Sequence, residues 1–119
     1  MTDLIQRIIK DGEENELYRY DQKFAPETSR NWQKEPALNK AFLECQENYA
    51  NQVLRIRGFI FLNEVYHMLG FDMTSLGAIV GWTLKHNGGN FVRFGAQTMG
   101  NLVYLLFNVE GIIFHKIEE

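Results

Sequence analysis

The segment Gly58–Phe94, which reads GFIFLNEVYHMLGFDMTSLGAIVGWTLKHNGGNFVRF, contains most of the strong local signals for the fold. Its apolar run at 59–62 predicts a short buried strand. Asn63 is a candidate cap for a short helix that continues to Leu69, where Gly70 supplies a left-handed exit. A second, shorter helix is predicted over Leu76–Val80. Strand and helix signals therefore alternate at short range within this segment.

Glycines mark three further features of this part of the chain. Gly77 and Gly81 are four residues apart, a spacing that lets another backbone approach closely. Beyond them, 82–85 and 91–94 flank a link with two adjacent glycines, a pattern that predicts a β-hairpin. After a loop at 95–101, strands are predicted over 102–107 and 112–117. The residues at 108–111 have the composition of a turn, which predicts that these two strands pair as a second hairpin.

Helices are predicted before this segment. The longest spans Pro36–Arg57, since proline suits a first helical turn and Gly58 ends the pattern. Its apolar residues recur at steps of three and four and predict one buried stripe. The stripe consists of Leu38, Phe42, Cys45, Tyr49, Val53 and Ile56. As a member of the stripe, Cys45 is interpreted as a small core residue.

The first 35 residues carry weaker signals. Leu4, Ile5, Ile8 and Ile9 form an apolar helical stripe that ends at Gly12, so a first helix must dock on the domain or on a partner. A short helix is predicted over 14–20. A loop then follows, and it lays Phe24 and Trp32 against the core or exposes them to a partner.

These elements predict one α+β domain covering residues 1–119, with N-terminal helices and an antiparallel sheet of four or five strands. The net charge of −3 and the absence of a basic stripe argue against direct nucleic-acid binding. No apolar run reaches the length of about 20 residues that spans a bilayer, and the first thirty residues do not have the basic-then-apolar pattern of a leader. With a single cysteine, no internal disulfide is possible. We therefore expect a protein of the cell interior, without membrane attachment.

Several motifs then follow one another in a characteristic order: LNEVYHMLG at 62–70, TSLG at 74–77, VGW at 80–82 and FNVEG at 107–111. Together they resemble an uncharacterised family of small proteins from phages and integrated elements of Gram-positive bacteria. The resemblance covers the chain from about Tyr20 to its end. It implies a viral or mobile-element origin and implies no catalytic residue.

The residues with potentially catalytic or metal-binding side chains give only weak signals for an enzyme. Glu64 and His67 are three residues apart on a predicted helix, where the usual explanation is a surface ion pair and the alternative is part of a metal site. Cys45 could act as a nucleophile if a histidine lay beside it, but no local motif supports this. We therefore expect no catalytic residue, no metal and no cofactor. A small enzyme using Cys45 or a His–carboxylate pair remains an alternative.

Protein binding is the function that the sequence favours. The candidate contact residues combine aromatic residues and arginine, which are common binding anchors, with the tip of the predicted hairpin. They are Phe24, Trp32, His86, Asn87, Asn90 and Arg93. A strand at the sheet edge offers a second route, through pairing with another copy of the chain.

The resemblance and the small acidic domain together favour a stoichiometric inhibitor of a host defence effector of the CRISPR type, acting in the host cytoplasm. The alternative is a component of the virus particle or of its assembly.

Overall fold

The computed structural model describes residues 20–84, 91–100, 102–115 and 117. In this part of the chain two α-helices, one 3₁₀ turn and six short strands follow one another. Their bounds are β1 Gln22–Phe24, α1 Pro36–Arg57, β2 Phe59–Phe61, α2 Leu62–Leu69, the 3₁₀ turn Leu76–Ala78, β3 Val80–Thr83, β4 Ala96–Met99, β5 Leu102–Leu105 and β6 Gly111–Ile112. The helix predicted from Leu4 to Ile9 lies outside the described residues, and so does the helix predicted over 14–20 except for Tyr20.

The strands form two antiparallel sheets of three strands each. The first sheet has the order β1–β5–β4 and the second has the order β2–β3–β6. The predicted α+β class is therefore confirmed, but the strands are divided between two sheets in place of a single sheet of four or five. One hydrophobic core joins the sheets, since it includes Phe24 and Val103 from the first sheet and Ile60 and Trp82 from the second.

Helix α1 has the predicted bounds but buries a different face. Gly58 ends it in a left-handed conformation, with φ at 91° and its N–H donating to the carbonyl of Leu54. The buried residues are Asn39, Leu43, Ala50 and Leu54. At about 100° per residue, this face lies roughly 120° around the helix from the predicted stripe. The prediction of the buried face is wrong because apolar residues occupy both faces and periodicity alone does not choose between them.

The segment after α1 has the predicted strand and first helix, but with another cap, and the second helix predicted over Leu76–Val80 is a 3₁₀ turn at Leu76–Ala78, because Val80 begins β3. Phe61, and not Asn63, is the residue before α2, and the Glu64 carboxylate accepts a hydrogen bond of 2.8 Å from its N–H. The Asn63 side chain instead pairs with the backbone of Thr74, accepting from its N–H at 2.9 Å and donating to its carbonyl at 2.8 Å. Gly70 adopts the expected left-handed exit, with φ at 83°.

Gly81 shows why a glycine is needed in β3. A Cβ at this position would collide with the carbonyl oxygen of Ile60 and lie 2.8 Å from the Cα of Phe61. These atoms belong to β2, which pairs with β3 in register. The close backbone approach predicted for Gly77 and Gly81 is therefore confirmed at Gly81, whereas a Cβ at Gly77 would meet the side chains of Asn63 and Thr74.

Both predicted hairpins are wrong. Strand β3 pairs with β2 and β6, whereas Phe91–Phe94 forms no strand. The predicted loop at 95–101 contains β4, which forms a hairpin with β5. After β5 the chain crosses to the second sheet, where the two-residue strand β6 pairs with β3. The turn at 108–111 thus connects two sheets and does not close a hairpin.

Candidate functional site

The two predicted aromatic anchors differ in accessibility. Phe24 has no exposed surface and its ring stacks on that of Phe42, with 5.8 Å between ring centroids. Trp32 is partly buried against the same core. Both rings therefore pack against the core as predicted, but Phe24 lies on β1 and not in the predicted loop, and it has no surface to offer a partner.

Arg93 is exposed, and its backbone is fixed from both sides by asparagine side chains. Its N–H donates to Oδ1 of Asn108 at 2.8 Å. One residue earlier, the N–H of Val92 donates to Oδ1 of Asn51 at 2.7 Å, and the carbonyl of Val92 accepts from Nδ2 of Asn51 at 3.0 Å. These bonds replace the strand pairing that the sequence predicted there. The remaining hairpin-tip candidates, His86, Asn87 and Asn90, lie outside the described residues.

Four of the six residues that the sequence assigned to the core are exposed on α1, whereas Phe42 and Val53 pack partly against the core. Leu38 is 52% exposed, Tyr49 54% and Ile56 87%, and Cys45 is also exposed. We call these four residues the outer stripe. The prediction that Cys45 is a core residue is therefore wrong. A stripe of this kind is unusual on a small domain, because large contiguous apolar patches are generally covered or used for binding.

A groove with a volume of about 470 Å³ runs beside the outer stripe, between α1 and α2. Tyr49 and Val53 line it from α1, and Met68 and Met73 line it from α2 and the loop that follows. Met73 is itself 63% exposed. Methionine side chains adapt to differently shaped partners, and they are common at surfaces that bind apolar side chains.

A pair of charges also lines this groove. Arg57 Nη2 and Glu64 Oε2 are 2.5 Å apart, and Arg57 also lies over the ring of Phe59, at 4.3 Å from its centroid. Glu64 therefore serves the ion pair and the start of α2 together, but its charged partner is Arg57 and not His67, from which the ion pair was expected.

The two sequence candidates for enzyme chemistry in the described ranges lie on different helices. His67 is exposed on α2, and Cys45 is exposed on the outer stripe of α1. Within the described ranges, no cluster of three or more His, Cys, Asp or Glu side chains is arranged to hold a metal ion. No helix in this part of the chain is both long enough and apolar enough to cross a membrane.

Sequence reasoning missed the asparagines that hold irregular backbone in place. Besides Asn51 and Asn108, Asn39 is buried and pairs with the backbone of Gln33, accepting from its N–H at 2.8 Å and donating to its carbonyl at 2.7 Å. Two of them, Asn39 and Asn51, could have been noticed in the sequence because they lie within the predicted helix Pro36–Arg57. Asparagine is a poor helix former, so at a partly buried helical position it is usually kept for a specific hydrogen bond.

Neither the curated proteins nor the solved structures include a match to the chain. A match does exist at the level of families, and it extends over residues 4–116, which include every described element. Because this match covers nearly the whole chain, the protein belongs to the family of unknown function DUF6353.

Proposed function

We propose that this protein acts by binding another protein through the outer stripe of α1. The observation that carries the proposal is the exposure of Tyr49 and Ile56 on a helix whose buried face, roughly 120° around the axis, is already packed. Burying apolar side chains of this size stabilises a complex by roughly 1.5–3 kcal/mol for each side chain that becomes fully covered. An amphipathic helix or a shallow apolar surface of the partner would match a stripe of this shape.

The partner that we propose is a defence effector of the CRISPR type in the host cytoplasm, which the protein would block by stoichiometric binding. The support is the resemblance to phage and mobile-element proteins together with the size and charge of the chain. A net charge of −3 on 119 residues suits association with a basic nucleic-acid-handling protein, since complementary charge speeds encounter.

The experiment compares the wild-type protein with Ile56→Glu and with Asn48→Glu as the matched control. Both substitutions introduce a carboxylate at an exposed position of α1, but Asn48 lies about 80° around the helix from the centre of the outer stripe. Each tagged protein is expressed in host cells that carry an active defence system. Captured proteins are identified by mass spectrometry, complex mass is measured by light scattering, and phage survival is counted.

The proposal expects the wild-type and Asn48→Glu proteins to capture the effector in stoichiometric amount and to protect the phage. Ile56→Glu should lose both properties while remaining folded. Equal capture by all three proteins would refute a role for the outer stripe. Capture of capsid or tail proteins in place of an effector would refute the inhibitor role and favour a component of the virus particle.

A further inference from the structure

The exposed edge of the first sheet carries a second candidate interface, on the other flank of α1. Strand β4 pairs with β5 on one side only, since the strand order is β1–β5–β4. All four residues of β4 are exposed. No turn or loop in the described ranges forms a backbone hydrogen bond with Ala96–Met99. An edge of this kind presents unpaired N–H and C=O groups to any extended chain that approaches it.

The register shows which residues of β4 face the open side. Met99 pairs with Leu102, so these residues flank a two-residue hairpin loop. Residues in these positions are joined by the hydrogen bond of the turn. Along an antiparallel ladder, hydrogen-bonded pairs then alternate with pairs that are not hydrogen-bonded. Gln97 therefore bonds towards β5, whereas Ala96 and Thr98 direct their N–H and C=O groups away from it.

A groove lies directly beside these two residues. It has a volume of about 500 Å³ and separates β4 from the first half of α1. Ala96 and Thr98 line it from the strand, and Leu43, Phe94 and Val103 contribute apolar side chains. The small side chains of β4 leave open a space that larger residues would have filled. Side chains of an added strand would occupy that space at every second position.

The geometry points to an extended segment of a partner protein as the occupant, added to β4 as a fourth strand of the first sheet. Its backbone would pair with Ala96 and Thr98, and apolar side chains at alternate positions would enter the groove. Main-chain pairing supplies affinity in this mode of recognition, and the groove supplies selectivity. The inference does not depend on the outer stripe, which lies on the opposite flank of α1.

The test uses the purified full-length protein and a display library of random 12-residue peptides. Selected peptides are synthesised, their binding is measured by calorimetry, and their contacts are mapped by amide shifts on the ¹⁵N-labelled protein. Each peptide is then made with a single N-methyl group at successive backbone nitrogens. Strand addition predicts losses of about tenfold at every second position, because only alternate amides donate to β4.

Two variants of the protein complete the experiment. Thr98→Pro removes one outward N–H at a position where an edge strand tolerates proline, and it should weaken peptide binding about tenfold or more. Thr98→Val keeps the N–H and a β-branched side chain and should bind like the wild type. The N-methyl series keeps the test decisive if Thr98→Pro does not fold, because that series uses the unaltered protein.

Three results would overturn the inference. The first is a failure of the library to yield any peptide whose shifts map to Ala96–Met99. The second is N-methyl sensitivity without a two-residue period. The third is self-association that Thr98→Pro abolishes, which would make a second copy of the chain the occupant. Ile56→Glu should bind the selected peptides normally, so this test stands apart from that of the proposed function.

Discussion

Replacing two neighbouring residues of α1 by alanine distinguishes the observed packing of this helix from the packing that its sequence pattern predicts. Leu54 is 1% exposed and Ile56 is 87% exposed, although the apolar pattern places Ile56 and not Leu54 in the core. Leu54→Ala should therefore lower the free energy of unfolding by about 2–5 kcal/mol, the usual cost of emptying a buried leucine site.

Ile56→Ala should change the free energy of unfolding by less than about 0.5 kcal/mol. Complete burial of a side chain of this size contributes roughly 1.5–3 kcal/mol, and only about an eighth of the Ile56 surface is covered. The small loss of about 0.2–0.4 kcal/mol that follows is offset by the higher helix propensity of alanine. The two variants change a similar number of carbon atoms, so each serves as the control for the other.

Urea unfolding followed by tryptophan fluorescence measures both values, since Trp82 is completely buried and should report the loss of the core. An Ile56→Ala loss above about 2 kcal/mol would refute the reasoning. It would show that another part of the chain covers the outer stripe, with the predicted helix at Leu4–Ile9 as the obvious candidate. A Leu54→Ala loss below about 1 kcal/mol would contradict the assigned face directly.

Three further changes test individual contacts. Gly81→Ala places a methyl group against the backbone of β2 and should cost about 1–3 kcal/mol in urea unfolding, whereas a neutral result would contradict the close approach. Burial raises the pKa of Tyr66 to about 12 from 10.0, so the stability that its neutral form contributes is complete below pH 10. This contribution, up to about 2.7 kcal/mol, is lost as the pH rises through 12. Tyr66→Phe also loses the hydrogen bond to the carbonyl of Tyr20. Its free energy of unfolding should nevertheless fall less steeply between pH 10 and 12 than that of the wild type. Parallel pH profiles of the two proteins would count against the raised pKa of Tyr66. Asn51→Ala removes both bonds to the backbone of residue 92 and should cost about 2 kcal/mol with faster amide exchange there, while the exposed Asn48→Ala should show neither change.

The elements predicted correctly are those whose signals are local. Helix α1 begins at a proline and ends at Gly58, β2 is a compact apolar run, and α2 ends at Gly70. Each of these features depends on conformational preferences of a few adjacent residues, which the sequence displays directly. The α+β class followed from the order of these elements along the chain.

Strand pairing was mispredicted because it depends on residues far apart in sequence. The glycines at 88 and 89 suggested that the flanking segments pair with each other. In the structure, the backbone of Phe91–Phe94 is instead satisfied by Asn51, Asn108 and Glu47, whose carboxylate accepts from the N–H of Phe94 at 2.8 Å. Side chains from α1 and from residues 108–111 thus take the place of a strand partner. No local sequence pattern predicts such hydrogen bonds.

The buried face of α1 was mispredicted for a related reason. Its exposed apolar residues have the periodicity of a buried stripe, and a helix that is apolar over a wide arc can bury either side. In the structure, the buried face is the one that carries Leu43, Ala50 and Leu54, so the outer stripe stays exposed. An apolar helical pattern therefore predicts a surface that needs to be covered. The sequence alone does not show whether the core of the same chain or a partner covers it.

The arrangement around α1 places its two candidate interfaces on separate flanks of one helix. The buried face lies between them, so the groove beside β4 and the outer stripe share no lining residue. One partner can engage both only by wrapping around the helix, whereas two partners can bind at once. If Ile56→Glu and Thr98→Pro each remove the same captured protein, the partner must contact both flanks. If each variant removes a different protein, the chain joins two partners, and simple blocking of one effector no longer describes its function.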